Sequence, residues 1–193
     1  MVKDINAAPN SSSYPRNLTD VNGTVFFAAD DGVSGIELWK SDGTESGTQL
    51  VRDISKGPRS SRPRDFVILG DAVFFVADDS LSGFELWKSD GTESGTTRVK
   101  DIHQGPRYSD PSSMAVIEGY LYFSAKSDST DIYGMWKSNG TEMGTVSFPG
   151  VYFAGGFLPV AGRIDFEEAL ISAAVGMTVS YGLQTGHQTE RTY

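Results

Sequence analysis

The sequence contains no cysteine. This absence excludes disulfides, thiolate catalysis and zinc sites built on cysteine. Histidine is also scarce: His103 follows one repeat unit and His187 lies near the polar C-terminal end. A catalytic triad or metal site built on histidine is therefore disfavoured.

Positive charge is under-represented, with 16 Lys and Arg against 25 Asp and Glu and a net charge of −9. Nucleic acids and anionic membranes require a basic face, so neither is an expected partner. No segment approaches the roughly 18 apolar residues of a membrane span. The first residues, Met-Val-Lys-Asp-Ile, also lack the apolar core of a signal peptide.

The chain contains three copies of a twelve-residue sequence, which we call the phrase. Residues 37–48 return unchanged as residues 85–96, and in weakened form as residues 134–145, so that the three tryptophans lie 48 and 49 residues apart. A period of this size indicates stacked or radially arranged copies of one supersecondary unit. It also disfavours an enzyme, because catalytic sites are asymmetric and repeats are not.

The full repeat unit is longer than the phrase and spans residues 15–54, 63–102 and 111–148. Each unit is predicted to form four short antiparallel strands; in the second unit these are residues 66–69, 72–77, 84–88 and 96–102. About 40 to 50 residues per four strands is the size of one β-propeller blade. The predicted fold is therefore all-β, a propeller-like array of four-stranded blades.

Both ends depart from this pattern. Residues 1–5 match the last strand of a unit, which predicts either an origin in a longer array or a strand that closes the ring. Residues 149–193 diverge and could form a fourth blade or a disordered end. Within them, a capping pattern at Asp165 and Glu168 predicts a short helix through Ala174. Residues Met177–Leu183 are predicted to form a strand.

The phrase resembles the ELWxxDGT repeat, a family of bacterial surface and secreted proteins that also occurs in some aquatic eukaryotes. Residues 37–54 and 85–102 fit the family pattern throughout, whereas the third copy departs from it at Gly134, Met135 and Asn139. The resemblance covers residues 1 to about 148. It implies a propeller-like all-β fold and an extracellular or cell-surface location, and the family has no shared catalytic motif.

Each phrase contains a predicted structural turn, which resembles the Asp box of sialidase-type propellers. The aspartate accepts hydrogen bonds from its own turn, and glycine supplies positive φ. The turn residues are Asp42 and Gly43, Asp90 and Gly91, and Asn139 and Gly140.

An acidic cluster in the first two units is the candidate cation site. Ca²⁺ takes six to eight oxygen ligands, and the candidate ligands are Asp30, Asp31 and Glu37, and Asp78, Asp79 and Glu85. The third unit has Lys126, Ser127 and Gly134 instead. The alternative is a solvated loop that binds no ion.

The tryptophans Trp39, Trp87 and Trp136 recur once per unit. Exposed rings could stack on sugars, whereas buried rings would pack between blades. No residue is singled out as catalytic, although abundant aspartates leave a carboxylate pair for glycoside hydrolysis open.

These observations predict a non-enzymatic, extracellular interaction or scaffold module with no cofactor other than Ca²⁺. Its expected partners are a protein or glycan at a surface, or further copies of the chain. One alternative is a carbohydrate-binding or carbohydrate-active propeller. Another is a structural unit that assembles with itself.

Overall fold

The structure is a computed structural model that describes residues 1–128 and 132–153, with side chains through residue 148. The described chain forms three four-stranded antiparallel sheets, each with its strands in sequence order. The first sheet contains β1 (Arg16–Val21), β2 (Thr24–Asp30), β3 (Ile36–Ser41) and β4 (Gln49–Arg52). The second contains β5 (Arg64–Leu69), β6 (Ala72–Asp78), β7 (Phe84–Ser89) and β8 (Thr97–Arg98). The third contains β9 (Ser112–Ile117), β10 (Tyr120–Lys126), β11 (Tyr133–Ser138) and β12 (Val146–Phe153).

The predicted all-β class and the four antiparallel strands per unit are confirmed. The third sheet runs past residue 148, because β12 continues to Phe153. The predicted helix near residues 165–174 and the predicted strand at 177–183 lie outside the described residues. Residues 1–5, predicted as a closing strand, form no strand in the structure.

The second strand of each sheet is buried on both sides, as its unbroken apolar sequence predicts. In the second sheet every residue from Val73 to Ala77 is at most 3% exposed. Alternate side chains of a strand point to opposite faces. A strand that is apolar at every position must therefore lie between two layers.

For the second sheet those layers are the two neighbouring sheets, which pack against it face to face through apolar side chains. One core cluster joins the first sheet to the second and includes Phe26, Leu38, Val51, Val73, Phe75 and Trp87. Another joins the second sheet to the third and includes Phe74, Leu86, Val99, Leu121, Phe123 and Trp136. The second sheet thus uses one face for the first sheet and the other for the third.

The first strands of neighbouring sheets also approach one another. Within the described residues, the most extensive strand contacts between different sheets join β1 to β5 and β5 to β9. The sheets therefore meet along one side, at their first strands.

The fourth strand of the second sheet is shorter than its sequence predicts. Residues 96–102 were expected to be extended, but β8 holds only Thr97–Arg98. The Val99 amide still donates to the Leu86 carbonyl (2.8 Å), and the Ile102 amide then donates to the Glu85 carboxylate (3.1 Å). Beyond Val99, a buried side chain and not the neighbouring strand accepts the Ile102 amide.

Candidate functional site

The repeat turns, residues 41–48, 89–96 and 138–145, are organised by one side-chain oxygen each. Oδ1 of Asp90 accepts the Thr92 amide at 2.8 Å and the Thr92 hydroxyl at 2.7 Å. Oδ1 of Asp42 accepts the corresponding Thr44 groups at 2.9 and 2.7 Å. The Thr44 and Thr92 hydroxyls, followed by the amides, lower the pKa of Asp42 and Asp90.

The third turn shows that the charge of this residue is dispensable. Asn139 Oδ1 accepts the Thr141 amide at 3.0 Å and the Thr141 hydroxyl at 2.7 Å. An amide oxygen therefore makes the same two bonds as the aspartates. The turn requires an acceptor at this position, and it does not require a carboxylate.

The two glycines of each turn are required for different physical reasons. Gly91 has φ of 87°, a conformation that L residues with a side chain rarely adopt. Gly95 has no such requirement, but a Cβ built on it would overlap the Asp90 carboxylate. The first glycine is needed for its backbone conformation and the second for the space that the aspartate occupies.

Glu37 is fully buried, and its carboxylate ties the first sheet to the segment that follows it. We call residues 53–63 the first connector and residues 99–111 the second connector. Oε2 of Glu37 accepts the Ile54 amide (3.0 Å) and the Ser61 hydroxyl (2.5 Å). Oε1 accepts the amides of Ser55 (3.3 Å) and Ser61 (2.9 Å). One carboxylate thus accepts hydrogen bonds from both ends of the first connector.

Glu85 repeats this arrangement in the second sheet. Its Oε2 accepts the Ile102 amide (3.1 Å) and the Ser109 hydroxyl (2.6 Å). Its Oε1 accepts the amides of His103 (3.3 Å) and Ser109 (3.1 Å). Burial raises the pKa of Glu85, like that of Glu37, to about 7, and the hydrogen bonds act in the opposite direction.

The other acidic candidates bind their own loops. Asp31 Oδ1 accepts the amides of Val33 (2.9 Å) and Ser34 (2.7 Å), and Asp79 accepts those of Leu81 (2.9 Å) and Ser82 (2.8 Å). Asp30 and Asp78 each accept one amide two residues further along, at 2.7 and 2.6 Å. Burial opposes ionisation of Asp79, but its hydrogen bonds and the nearby Arg98 outweigh it and lower its pKa.

The six carboxylates predicted as Ca²⁺ ligands are therefore not gathered around one point. Within residues 1–128 and 132–153, no group of three or more Asp, Glu or His side chains is arranged to hold a metal ion. The glutamates face the connectors, and the aspartates face their own turns.

The three tryptophans are buried, with Trp39, Trp87 and Trp136 only 6%, 5% and 7% exposed. Trp87 lies in the core between the first and second sheets, with the Arg52 guanidinium 6.0 Å from its ring. Trp136 stacks against Phe123 with ring centroids 6.5 Å apart. Trp39 lies in a cluster with Phe27 and Ala29, against which Ile5 packs. These positions favour packing over stacking on a ligand.

Sequence reasoning missed a set of cationic contacts between sheets. The Lys40 ammonium donates to the Gly91 carbonyl and that of Lys88 to the Gly140 carbonyl, both at 2.8 Å. Each lysine thus reaches from one sheet to the repeat turn of the next. The signal was present in the sequence, because a lysine follows the tryptophan in every copy.

A second cationic contact recurs at the fourth strand. Arg52 donates to the Thr96 carbonyl at 2.5 Å and Lys100 to the Thr145 carbonyl at 3.0 Å. Lys3 makes the same bond to the Thr48 carbonyl at 2.8 Å. Lys3 therefore contacts the first sheet as Arg52 and Lys100 contact the second and third.

Compared with known proteins, the chain matches no protein-family model, no curated protein and no solved structure. In the part of the chain that the structure describes, no helix has the length and apolar character needed to cross a bilayer.

Proposed function

We propose that the protein is a non-enzymatic interaction or scaffold module whose sheets are arranged radially, as in a propeller. The observation that carries this proposal is the use to which the repeated polar residues are put. The Asp or Asn of each turn, the buried Glu of each connector and the inter-sheet lysines all bind the protein's own backbone. The recurring polar residues thus stabilise the fold, and together they form a structural frame.

Two features support the radial arrangement. Consecutive sheets pack face to face through their apolar sides, and their first strands approach one another. In a propeller, the inner strands converge on the axis while the blades pack against their neighbours. The resemblance to the ELWxxDGT repeat supports the same arrangement and an extracellular or cell-surface location.

The partner of such a frame would be a protein or a glycan at a surface. Loop residues rather than sheet residues would contact it, because the sheets are covered by one another. A net charge of −9 favours a partner with a basic or neutral surface over an anionic one.

The test measures enzymatic turnover and glycan binding by the purified chain. The purified chain is incubated with a panel of glycosides and polysaccharides while product release and tryptophan fluorescence are followed. We expect no turnover and no spectral shift, because the three rings are buried. Reproducible turnover of any glycoside by the purified chain would overturn the proposal in favour of a glycosidase.

Calcium binding by the acidic loops is tested separately by thermal unfolding in Ca²⁺ and in chelator. We expect equal melting temperatures, because Asp31 and Asp79 already bind their own loop amides. A Ca²⁺-dependent rise that disappears in Asp31→Asn and Asp79→Asn variants would show that the loops bind the ion.

A further inference from the structure

We propose that the junction between the second and third sheets binds a neutral sugar through Tyr108, Lys126 and Asp110. Tyr108 and Asp110 lie near the end of the second connector, and Lys126 is the last residue of β10. We call these three residues, together with Tyr133 of β11, the junction site. The inference names a ligand class for the interaction module proposed above, and in that respect it rests on the proposed function.

The backbone of this junction is the same as that of the junction between the first and second sheets. The Lys126 amide donates to the Ser109 carbonyl at 2.9 Å, and the Asp110 amide donates to the Phe84 carbonyl at 3.0 Å. The equivalent bonds one unit earlier measure 3.0 and 3.1 Å. Both junctions are thus held by the same pair of backbone contacts.

The side chains at the two junctions differ although the backbone does not. Ser60 and Asp78 occupy the positions of Tyr108 and Lys126 one unit earlier. The structural frame therefore forms with a small or an acidic residue at these positions, and it requires neither an aromatic ring nor an ammonium group there. Folding does not account for the two substitutions, which leaves them available for binding.

Tyr108 supplies an exposed aromatic ring at a defined position. The residue is 51% exposed, and a Cβ built on Gly83 would lie 2.9 Å from its own Cβ. The base of the side chain is therefore in contact with the loop of the second sheet, while the ring extends into solvent. Such a ring offers a flat apolar face on which the apolar face of a sugar can stack.

Lys126 and Asp110 supply a hydrogen-bond donor and an acceptor beside Tyr133. The Lys126 ammonium lies 5.5 and 5.2 Å from the ring centroids of Tyr108 and Tyr133. With the residues of 1–128 and 132–153 it forms no hydrogen bond or ion pair. Asp110 accepts the Tyr133 hydroxyl at 2.8 Å and the Arg64 guanidinium at 2.5 Å. Its carboxylate is one-third exposed and retains lone pairs for a further donor.

The charges at the junction site favour a ligand without charge. Arg64 pairs with both Asp65 and Asp110, so that Lys126 and Arg64 balance the two carboxylates. The whole chain, with a net charge of −9, repels anions at long range. Sugar hydroxyls both donate and accept hydrogen bonds. A neutral sugar can therefore bind the ammonium and the carboxylate while its ring stacks on Tyr108.

The experiment titrates the 193-residue chain by calorimetry with neutral hexasaccharides of glucose, mannose, xylose and N-acetylglucosamine. A galacturonate hexasaccharide is the charged comparison. We expect saturable binding of at least one neutral probe, and binding of the galacturonate probe weaker by at least about tenfold. Calorimetry is used because the tryptophans are buried and their fluorescence need not respond to a ligand at Tyr108.

Variants assign the binding to the junction site. Tyr108→Ser and Lys126→Met should each weaken it by at least about tenfold, through loss of the ring and of the donor. Tyr108→Phe should bind like the original chain, because it keeps the ring face. Tyr14→Ser is the matched control, since Tyr14 is 68% exposed ahead of the first sheet, and it should also bind like the original chain.

The double variant Tyr108→Ser, Lys126→Asp reproduces the residues of the first junction. It should lose binding and keep the melting temperature of the original chain, because the first junction forms the same backbone contacts with these residues. If a thermal melt shows that it is misfolded, the two single variants carry the test.

Three results would overturn the inference. The first is no binding of any neutral probe up to about 10 mM, and the second is binding that Tyr108→Ser leaves unchanged. The third is tighter binding of the galacturonate probe that weakens with salt, which would make the ligand an anion. None of them affects the proposed function, which is tested by turnover and stands without a sugar ligand.

Discussion

At the scale of single residues, the repeat turns show how a short phrase becomes a fixed geometry. One side-chain oxygen, two glycines and three hydroxyls recur with the same bonds in all three copies. The hydroxyls of Ser89 and Thr96 lie 2.7 Å apart, and Thr96 also donates to the Thr92 carbonyl at 2.7 Å. These contacts are local, which is why the sequence alone identifies the turn.

Replacing Asp90 by Ala should destabilise the protein by about 1 to 3 kcal/mol, because two hydrogen bonds to Thr92 are lost. Asp90→Asn is the matched control, since Asn139 makes the same bonds in the third turn. Its unfolding free energy, measured in urea, should stay within about 1 kcal/mol of the original. Equal losses in both variants would show that charge, and not an acceptor, is what the turn requires.

Replacing Gly95 by Ala should cost about 1 to 3 kcal/mol through overpacking, because the added methyl overlaps the Asp90 carboxylate. The double variant Gly95→Ala, Asp90→Ala removes the overlapping group. If the overlap is the cause, the double variant should lose less than the sum of the two single variants in a urea-unfolding cycle. Additive losses would contradict this explanation.

At the scale of elements, a buried glutamate determines where each sheet ends and the next begins. Glu85 collects donors from both ends of the second connector. The third unit has Gly134 at this position, and the chain there continues into the long strand β12. The contrast with the two-residue β8 agrees with the idea that the glutamate draws the chain out of the sheet.

Replacing Ser109 by Ala removes the buried hydroxyl that donates to Glu85 at 2.6 Å. The loss should be about 1.5 to 3 kcal/mol, as for a hydrogen bond to a charged group. Ser94→Ala is the control, because that hydroxyl is exposed and pairs only with Thr92 at 3.4 Å. A thermal melt in which both variants behave alike would argue against the role assigned to the connector.

At the scale of the whole molecule, the sheets are held by contacts that repeat with the sequence. Apolar cores fill the space between them, and lysines and arginines bridge their edges. This nearest-neighbour organisation is typical of repeat proteins, in which stability is shared among unit interfaces.

Stability should depend on pH through Glu37 and Glu85. Their folded pKa of about 7 lies above the ordinary value of 4.5, so the folded state binds more protons between these values. The unfolding free energy should fall as pH rises from about 4.5 to about 7, by up to about 1.4 kcal/mol per pH unit for each carboxyl. Their contribution is fully present below pH 4.5 and is lost as pH rises through 7.

The measurement is urea unfolding at a series of pH values. Glu85→Gln should reduce the slope over this range, because Gln does not titrate, although it is less stable at every pH because its amide group faces four donors. The Glu37→Gln, Glu85→Gln double variant should reduce the slope further. A slope unchanged in both variants would assign the pH dependence to other groups.

Sequence by itself determined the features that depend on neighbouring residues. The periodic phrase predicts the repeat, the apolar runs predict the buried second strands, and the Asp-Gly-Thr sequence predicts the turns. Each of these can be read from residue type and spacing within a short stretch of sequence. The all-β class and the four strands per unit were predictable for the same reason.

Only the tertiary structure decided which residues meet across the repeat. Glu37 looks like a Ca²⁺ ligand in the sequence, yet its partners lie 17 to 24 residues away in the connector. The sequence leaves open whether Trp87 packs between blades or binds a sugar, and the adjacent sheet determines that it is buried. These contacts depend on how one unit is placed against the next, and the packing of whole sheets fixes that placement.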